Sequence, residues 1–363
     1  FIFTIQSIGG LAVAIWLSLY GERYNKIYVM ATGAALIGLG GLLIGIIPAL
    51  GIQGGGYGFL LIFVALAGIG YTSVDVMVNG MITEVYPKTK DTVLPMAHAF
   101  FGVGAMIIPS LVALVVDDAK PSSFSIPFLG IGVLALVVFG LFLFTGRKIM
   151  PTTAYAHMND MRKRALENPA EIFRSPKAWL FLVTAILYFS FQYGMSIWMP
   201  TYFYYEKGFS HQSSAFMATV FFLGALVMRF LAPILFKKMA LEKYYSIFAL
   251  LSAICTAVAF AVASAPLITF LIFMGGFFQG ALIVAFVIIC CREFPERTAS
   301  ASSLSVIAFN LSAMVMPVAV GAMAETKGFS LPMYLLVIGL VISIGSLWVA
   351  QKIASPKESP VSL

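Results

Sequence analysis

The chain has 363 residues, of which 61% are hydrophobic and only 10% are charged. A soluble domain contains about 25% charged residues, so this composition excludes an ordinary soluble protein and indicates a polytopic membrane protein. The formal net charge is +7. Because the basic residues lie in short segments between apolar runs, without interleaved stacking aromatics, nucleic acid is not an expected partner.

Long apolar segments predict the membrane helices. A helix needs about 20 apolar residues to cross a bilayer. Eleven segments meet this requirement, near residues 1–20, 27–48, 57–83, 93–116, 124–145, 178–204, 212–236, 244–264, 267–291, 299–323 and 331–351.

The basic residues predict the orientation of these helices. Of the 22 lysines and arginines, eighteen fall in segments on one side, whereas Lys120, Lys207 and Lys327 fall on the other and Arg229 lies within a span. The positive-inside rule places the first side and the C-terminus in the cytoplasm, so we expect a multi-pass protein of the plasma membrane or bacterial inner membrane. Residue 1 then starts on the outer face. We therefore expect that one further helix precedes it in a longer chain.

A weak internal repeat relates the two halves of the chain. Pro87 and Pro109 recur 208 residues later as Pro295 and Pro317, and AFFGVGAMIIP is echoed by IAFNLSAMVMP. Parallel repeats around an axis along the membrane normal are typical of one large class of transporters. We predict a helical bundle at 1–145, a cytoplasmic linker at 146–177, a second bundle at 178–351 and a cytoplasmic tail at 352–363.

Asp75 is the only acidic residue that the predicted spans place inside the hydrocarbon. It precedes Glu84, the first charge beyond the span, by nine residues, or about 14 Å along a helix. This depth is near the middle of a hydrocarbon core about 30 Å thick. Burial there disfavours the charged carboxylate, so the acid could bind and release a proton. The alternative is a structural acid paired with an arginine or with helix backbone.

Several polar side chains in the spans are candidates for binding a substrate. Asn79 follows Asp75 by one helical turn, so it shares a face with the acid. Amides both donate and accept hydrogen bonds, which suits a polyol. The candidates are Asn79, His98, Gln192, Gln279 and Asn310. For each of them the alternative is a hydrogen bond between helices or a packing role.

Arg229 lies within a span, eight residues before Lys237. It could bind an anionic substrate, or it could donate to helix carbonyls of a neighbour as a gating or structural residue. The three cysteines, Cys255, Cys290 and Cys291, show no metal-ligand spacing, and no nucleotide-binding loop or nucleophile triad is present. We expect no metal, no cofactor and no enzymatic activity.

The segment Ser18–Lys26, SLYGERYNK, resembles the signature between the second and third helices of the major facilitator superfamily. Arg23 and Lys26 match that signature. In the second half, the segment 231–243 retains Lys237. The resemblance implies an all-α polytopic membrane protein with the major facilitator fold. That fold has two six-helix bundles, and we expect eleven of the twelve helices in this chain. We expect gating or structural roles for Arg23, Lys26 and Lys237, which belong to these matching segments, and for Arg229, which lies two turns from the basic residues at the end of its span.

Within that superfamily the chain looks most like the fucose, galactose and glucose cation symporters. The resemblance rests on Gly68, Gly70, Asp75 and Asn79, on His98 before Gly104 and Ala105, and on Tyr188, Gln192, Trp198, Pro200, Thr201 and Tyr202. It implies that Asp75 carries the coupling proton. Gln192 replaces an acid of that branch.

These features predict a secondary active transporter that moves a small polar solute by alternating access coupled to a proton gradient, and the resemblance implies that this solute is a sugar. The expected partners are the solute, H⁺ or Na⁺, and membrane lipid, and the expected state is a monomer. Two alternatives stay open: an exporter or antiporter of drugs or organic anions, and a membrane sensor that does not transport.

Overall fold

The computed structural model describes residues 2–47, 56–116, 120–149 and 171–353. The helices of the first half are α1 (Ile2–Tyr20), α2 (Lys26–Ile46), α3 (Gly56–Val85), α4 (Lys90–Val115) and α5 (Ser125–Ile149). A short helical turn, Glu171–Arg174, leads into the second half. Its helices are α6 (Pro176–Tyr193), α7 (Met199–Lys207), α8 (His211–Lys238), α9 (Leu241–Ala261), α10 (Ala265–Gln279), α11 (Leu282–Glu293), α12 (Thr298–Lys327) and α13 (Ser330–Lys352).

The all-helical membrane fold predicted from the apolar segments is confirmed. Among the described residues, 10 helical segments are long and apolar enough to cross a membrane, judged by length and composition. Each of these coincides with a predicted span. The remaining predicted span, 93–116, corresponds to helix α4.

Two predicted spans are each divided into two helices. Between α6 and α7 the residues Gly194–Trp198 form a π-helical turn, and Pro200 follows at the start of α7. Proline has no N–H, so the regular hydrogen-bond ladder is interrupted here. Such π-helical turns occur frequently at functional sites. The second division separates α10 from α11 at Gly280 and Ala281.

Glycines allow α8 and α10 to approach each other closely. A Cβ atom added to Gly276 would overlap the carbonyl oxygen of Phe221, and one added to Gly280 would overlap that of Ala225. Helices in membranes gain van der Waals contact when small residues bring their backbones together. Larger side chains at these two positions would therefore force the helices apart.

The chain divides into two compact units, one of residues 1–167 and 296–314 and the other of residues 168–295 and 315–363. Helix α12 contributes its first half to the first unit and its second half to the second. In the first unit, α2 packs against α3 and α5, and α1 packs against α3. In the second unit, α6 packs against α13, and α10 packs against α8 and α9. The predicted linker, 146–177, and the predicted tail, 352–363, lie mostly outside the described residues.

Candidate functional site

Asp75, Asn79 and His98 form a chain of hydrogen bonds in the first unit. The side-chain nitrogen Nδ2 of Asn79 donates to Oδ1 of Asp75 at 3.0 Å. The Oδ1 atom of Asn79 lies 3.0 Å from Nε2 of His98. Asp75 and Asn79 meet because they are four residues apart on α3, whereas His98 comes from α4. Asn79 is only 3% exposed, and Asp75 and His98 are half-buried.

Serine and glycine contacts position this part of α3. The hydroxyl of Ser302, in the first half of α12, donates to the carbonyl oxygen of Val76 at 3.0 Å. A Cβ atom added to Gly33 of α2 would lie 2.7 Å from the carbonyl oxygen of Gly70. Neighbouring helices therefore approach the α3 backbone closely on both sides of Asp75 in sequence.

Asn310 lies in the first unit, beside α1 and α3. It is 4% exposed, and its Nδ2 donates to the carbonyl oxygen of Val306 at 2.9 Å. A Cβ atom added to Gly10 of α1 would overlap Asn310 Oδ1 and would lie 2.7 Å from Thr72 Oγ1. Thr72 precedes Asp75 by three residues, so the two are neighbours on the surface of α3. Asn310 therefore lies about one helical turn from the acid along α3.

Lys26 lies at the centre of a buried network at the C-terminal end of α3. The sequence predicts that this end of the helix faces the cytoplasm. Its Nζ atom is 3.0 Å from Glu22 Oε2 and 2.5 Å from Glu84 Oε1, and it also donates to Thr298 Oγ1 at 3.3 Å. The Lys26 side chain is 5% exposed. Thr298 donates to Glu84 as well. One cation is thus shared between two buried carboxylates.

The same network holds the beginning of α12. The backbone N–H of Ala299 donates to Glu22 Oε1 at 2.6 Å, and the Ser300 hydroxyl donates to the carbonyl oxygen of Ser18 at 2.6 Å. The N-terminus of a helix carries partial positive charge, so a carboxylate there is stabilised. Glu22 therefore binds both Lys26 and the start of α12.

Two of the other three basic residues with predicted gating or structural roles, Arg23 and Lys237, lie outside this network. Arg23 is exposed, and its guanidinium carbon lies 4.9 Å from the centroid of the Tyr20 ring. Lys237 is exposed in the last turn of α8. The structure groups Lys26 with acids and leaves Arg23 and Lys237 at the surface.

Gln279 and Gln192 present amide oxygens in the second unit. Gln279 is fully buried, and its Nε2 donates to the hydroxyl of Tyr188 at 2.5 Å. Gln192 follows Tyr188 by one helical turn on α6, so their side chains share a face. The Oε1 atoms of both glutamines are buried and have no hydrogen-bond partner among the described residues. Both are acceptors that an incoming hydroxyl group could satisfy.

Arg229 binds the break between α10 and α11. It is 7% exposed, and its Nε donates to the carbonyl oxygen of Gly280 at 3.0 Å. The first hydrogen bond of α11 runs from Ala285 N to the carbonyl oxygen of Ala281. The Gly280 carbonyl therefore lies outside the ladder of α11, and the arginine supplies a donor for it.

Sequence reasoning missed Glu84 and Thr298 as members of these groups, and it named Tyr188 only among the residues that carry the family resemblance. Glu84 was placed just beyond its span, but it is buried in the last turn of α3 and contacts Lys26. The pair of Glu22 and Lys26 was not predicted either, because Glu22 lies in the turn before α2 and Lys26 lies at the start of that helix. The partners in α3, α12 and α6 lie far away in sequence, so spacing within one helix carries no signal for them.

Comparisons with known proteins agree with this architecture. The family model described as Major Facilitator Superfamily matches residues 1–241 and 205–362. The uncharacterized MFS-type transporter YfkL of Bacillus subtilis (strain 168) is 20% identical over 280 residues, which is 76% of this chain and 68% of that protein.

Several solved transporter structures share the fold. A variant of the E. coli fucose:proton symporter FucP superposes with a TM-score of 0.72 at 16% identity, covering 97% of this chain and 90% of that chain. The proton:xylose symporter XylE gives 0.74 at 14% identity, covering 95% and 84%. A bacterial homologue of the iron transporter ferroportin gives 0.73 at 17% identity, covering 97% and 90%.

At these identities the solved structures establish the fold and leave the substrate undetermined. The family model, in contrast, matches both halves of the chain. The protein is an integral multi-pass membrane protein that belongs to the major facilitator superfamily of transporters.

Proposed function

We propose that this protein moves a small polar solute, most consistently a sugar, by alternating access coupled to a proton gradient, with Asp75 as the coupling acid. The observation that carries the proposal is the half-buried carboxyl of Asp75, hydrogen-bonded to the buried amide of Asn79. An ionisable residue in a membrane helix is costly and typically serves a proton or substrate pathway. Asn79 and His98 complete the coupling site.

The glutamines of the second unit support a hydroxylated solute. Gln192 and Gln279 each have a buried amide oxygen without a partner among the described residues. A buried acceptor without a partner is unfavourable by about 1–3 kcal/mol, and a hydroxyl group that donates to it removes this cost. Neutral amides bind a sugar without placing a further charge in the membrane.

The similar structures do not by themselves choose between a sugar and another cargo. FucP and XylE are described as proton symporters of fucose and xylose, whereas a ferroportin homologue matches with a similar TM-score. The glutamine oxygens favour the sugar. Among the described residues no group of three or more His, Cys, Asp and Glu side chains is arranged to hold a metal ion.

The Lys26 network is proposed to hold one conformation of the transport cycle. It ties the ends of α2 and α3 to Thr298 and Ala299, at the start of the helix that the two units share. Release of α12 then breaks its hydrogen bonds to Lys26, Glu84 and Glu22. Interactions of this kind give a conformational equilibrium with discrete states.

Proton movement in proteoliposomes tests this function. The full-length protein is reconstituted with a trapped pH indicator and exposed to a panel of pentoses, hexoses and deoxyhexoses. We expect one sugar to drive proton uptake, and we expect Asp75→Asn to abolish that uptake while sugar exchange persists. Asp91→Asn, which changes an acid in the first turn of α4, is the matched control and should retain uptake.

Absence of proton uptake with every sugar in the panel, or unchanged proton uptake in Asp75→Asn, would contradict the proposal. An organic anion is the second candidate cargo, because Arg229 is a cation buried in the second unit. The same liposomes are therefore also tested with small carboxylates. Transport of a carboxylate that falls at least tenfold in Arg229→Gln would favour this second candidate.

A further inference from the structure

The hydrogen bonds of Asn79 determine which nitrogen of His98 carries hydrogen. An ionised carboxylate can only accept, so the amide group of Asn79 must turn its Nδ2 toward Asp75, as the 3.0 Å contact shows. The amide oxygen then faces His98 Nε2 at 3.0 Å. Because that oxygen is only an acceptor, Nε2 must be the protonated nitrogen.

We infer that Asn79 transmits the charge state of Asp75 to His98, which makes His98 a positioning residue of the proton site. This inference rests on the proposed function, in which Asp75 is the coupling acid. While Asp75 is ionised, the charge-assisted bond from Nδ2 holds the amide in one orientation. His98 then keeps a hydrogen on Nε2.

Protonation of Asp75 releases this constraint. The neutral carboxyl has an O–H donor that can bind the amide oxygen of Asn79 after the amide turns by half a revolution. Nδ2 then faces His98, whose Nε2 must become an acceptor. Asp75 gains one proton from water, and the imidazole gives its Nε2 hydrogen to water and takes one at Nδ1, so its charge is unchanged.

Burial limits the alternatives of the amide. Asn79 is 3% exposed, so water cannot replace either partner freely, and its orientation depends on Asp75 and His98. The backbone around it is held as well, because Thr83 Oγ1 donates to the carbonyl oxygen of Asn79 at 3.2 Å. The amide group is therefore a two-position element with fixed ends.

Few other titratable groups lie on the helices around Asp75 and His98. Helix α1 contributes Tyr20, α2 contributes Lys26 and Tyr28, α3 itself contributes Tyr57, Tyr71 and Glu84, α4 contributes Lys90 and Asp91, and residues 298–314 contribute none. Lys26 and Glu84 bind each other, and Glu84 is about 14 Å along α3 from Asp75. Asp91 is seven residues before His98 on α4, or about 10 Å.

Nitrogen-15 NMR of a single histidine tests the inference without a substrate. The chain has three histidines, so a His157→Gln/His211→Gln background leaves only His98. The labelled protein is studied in lipid nanodiscs at pH 8, where the ¹⁵N shifts distinguish the two neutral tautomers. In this background we expect His98 to carry hydrogen on Nε2 alone.

Two substitutions should release the imidazole, and one should not. In Asp75→Asn and in Asn79→Leu we expect the Nε2 resonance to shift toward the value of an unprotonated nitrogen, because Nε2 is no longer required to face an acceptor oxygen. Asn79→Ser serves as a second variant if leucine prevents folding. Thr83→Val removes hydrogen bonds to the backbone carbonyls of Asn79 and Gly80 but leaves the side-chain amide of Asn79 in place, so it should leave the spectrum unchanged.

The liposome assay gives a second, independent readout. His98→Leu should lower proton uptake at least tenfold, and His98→Gln, which keeps an N–H donor for the oxygen of Asn79, should restore most of that loss. An unshifted Nε2 resonance in Asp75→Asn, or full uptake in His98→Leu, would overturn the inference. Those results leave the coupling role of Asp75 intact, whereas unchanged uptake in Asp75→Asn overturns the proposed function itself.

Discussion

The Nζ atom of Lys26 lies 2.5 Å from Oε1 of Glu84, although 58 residues separate them in the sequence. Both side chains are buried, at 5% and 9% exposure. Glu22 shares the same ammonium group at 3.0 Å. A buried charge that loses its partner is strongly unfavourable, so removal of the Lys26 ammonium group should lower the stability of the protein.

We expect Lys26→Met to destabilise the protein by about 3–5 kcal/mol, because two buried carboxylates would lose their shared cation. The thermal midpoint of a fluorescent fusion, followed by size-exclusion chromatography in detergent, measures the effect. Arg23→Met is the matched control, since Arg23 is exposed three residues earlier; it should change stability by no more than about 0.5 kcal/mol.

Neutralising the acids should reverse the effect of Lys26→Met. In the triple variant Glu22→Gln/Lys26→Met/Glu84→Gln no buried charge is left without a partner, so its thermal midpoint should recover toward that of the unchanged protein. A Lys26→Met variant as stable as Arg23→Met would show that the network carries no stability.

A second prediction concerns Arg229 and the break after α10. Arg229→Met would leave the Gly280 carbonyl without the donor at 3.0 Å, which should cost about 1–3 kcal/mol. Lys237→Met, on the exposed end of the same helix, is the control and should be nearly neutral. Equal thermal midpoints for these two variants would contradict the role assigned to the guanidinium.

The helices and the bond between Asp75 and Asn79 could be predicted from the sequence, whereas the break after Gln279 could not. Apolar runs of about 20 residues specify spans, and a spacing of four residues places two side chains on one face. The run 267–291 is predominantly apolar and carries no charged residue, so hydropathy predicts one continuous helix. The break depends on the close approach of α8 at Gly280 and on Arg229, which are tertiary contacts.

The same distinction applies to the partners of the candidate residues. Asn79 was expected beside Asp75 because both lie on α3, but its bond to His98 requires the register between α3 and α4. Lys26 and Glu84 were both visible as charges at helix ends. Their contact depends on how α2 packs against α3, which composition and spacing within one helix do not specify.

Close packing of α8 and α10 gives a third prediction. A methyl group at position 276 would overlap the carbonyl oxygen of Phe221, so Gly276→Ala should destabilise the protein by about 1–3 kcal/mol through overpacking. Gly345→Ala adds the same methyl group in α13, where nothing lies within 4 Å of the new atom. That control should be neutral or more stable by about 0.5–1 kcal/mol, since alanine favours helices.

A higher thermal midpoint for Gly276→Ala than for Gly345→Ala would show that α8 and α10 are packed less closely than described. The comparison is informative because both variants add one methyl group to a helical glycine. Differences in helix propensity therefore cancel, and only the space around the new atom remains.

The last prediction separates stability from substrate binding at Gln279. Tyr188→Phe removes the hydroxyl that accepts from Gln279 Nε2 at 2.5 Å, so a fully buried amide would lose its only hydrogen-bond partner recorded among the described residues. This should cost about 1–3 kcal/mol. Adding Gln279→Leu removes the amide itself, so the double variant Tyr188→Phe/Gln279→Leu should recover most of the lost stability.

If Gln279 Oε1 accepts a sugar hydroxyl, the double variant should nevertheless bind the transported sugar at least tenfold more weakly, because that acceptor is gone. Thermal midpoints and sugar binding by scintillation proximity measure the two effects on the same preparations. Full sugar affinity in the double variant would exclude Gln279 from the binding site.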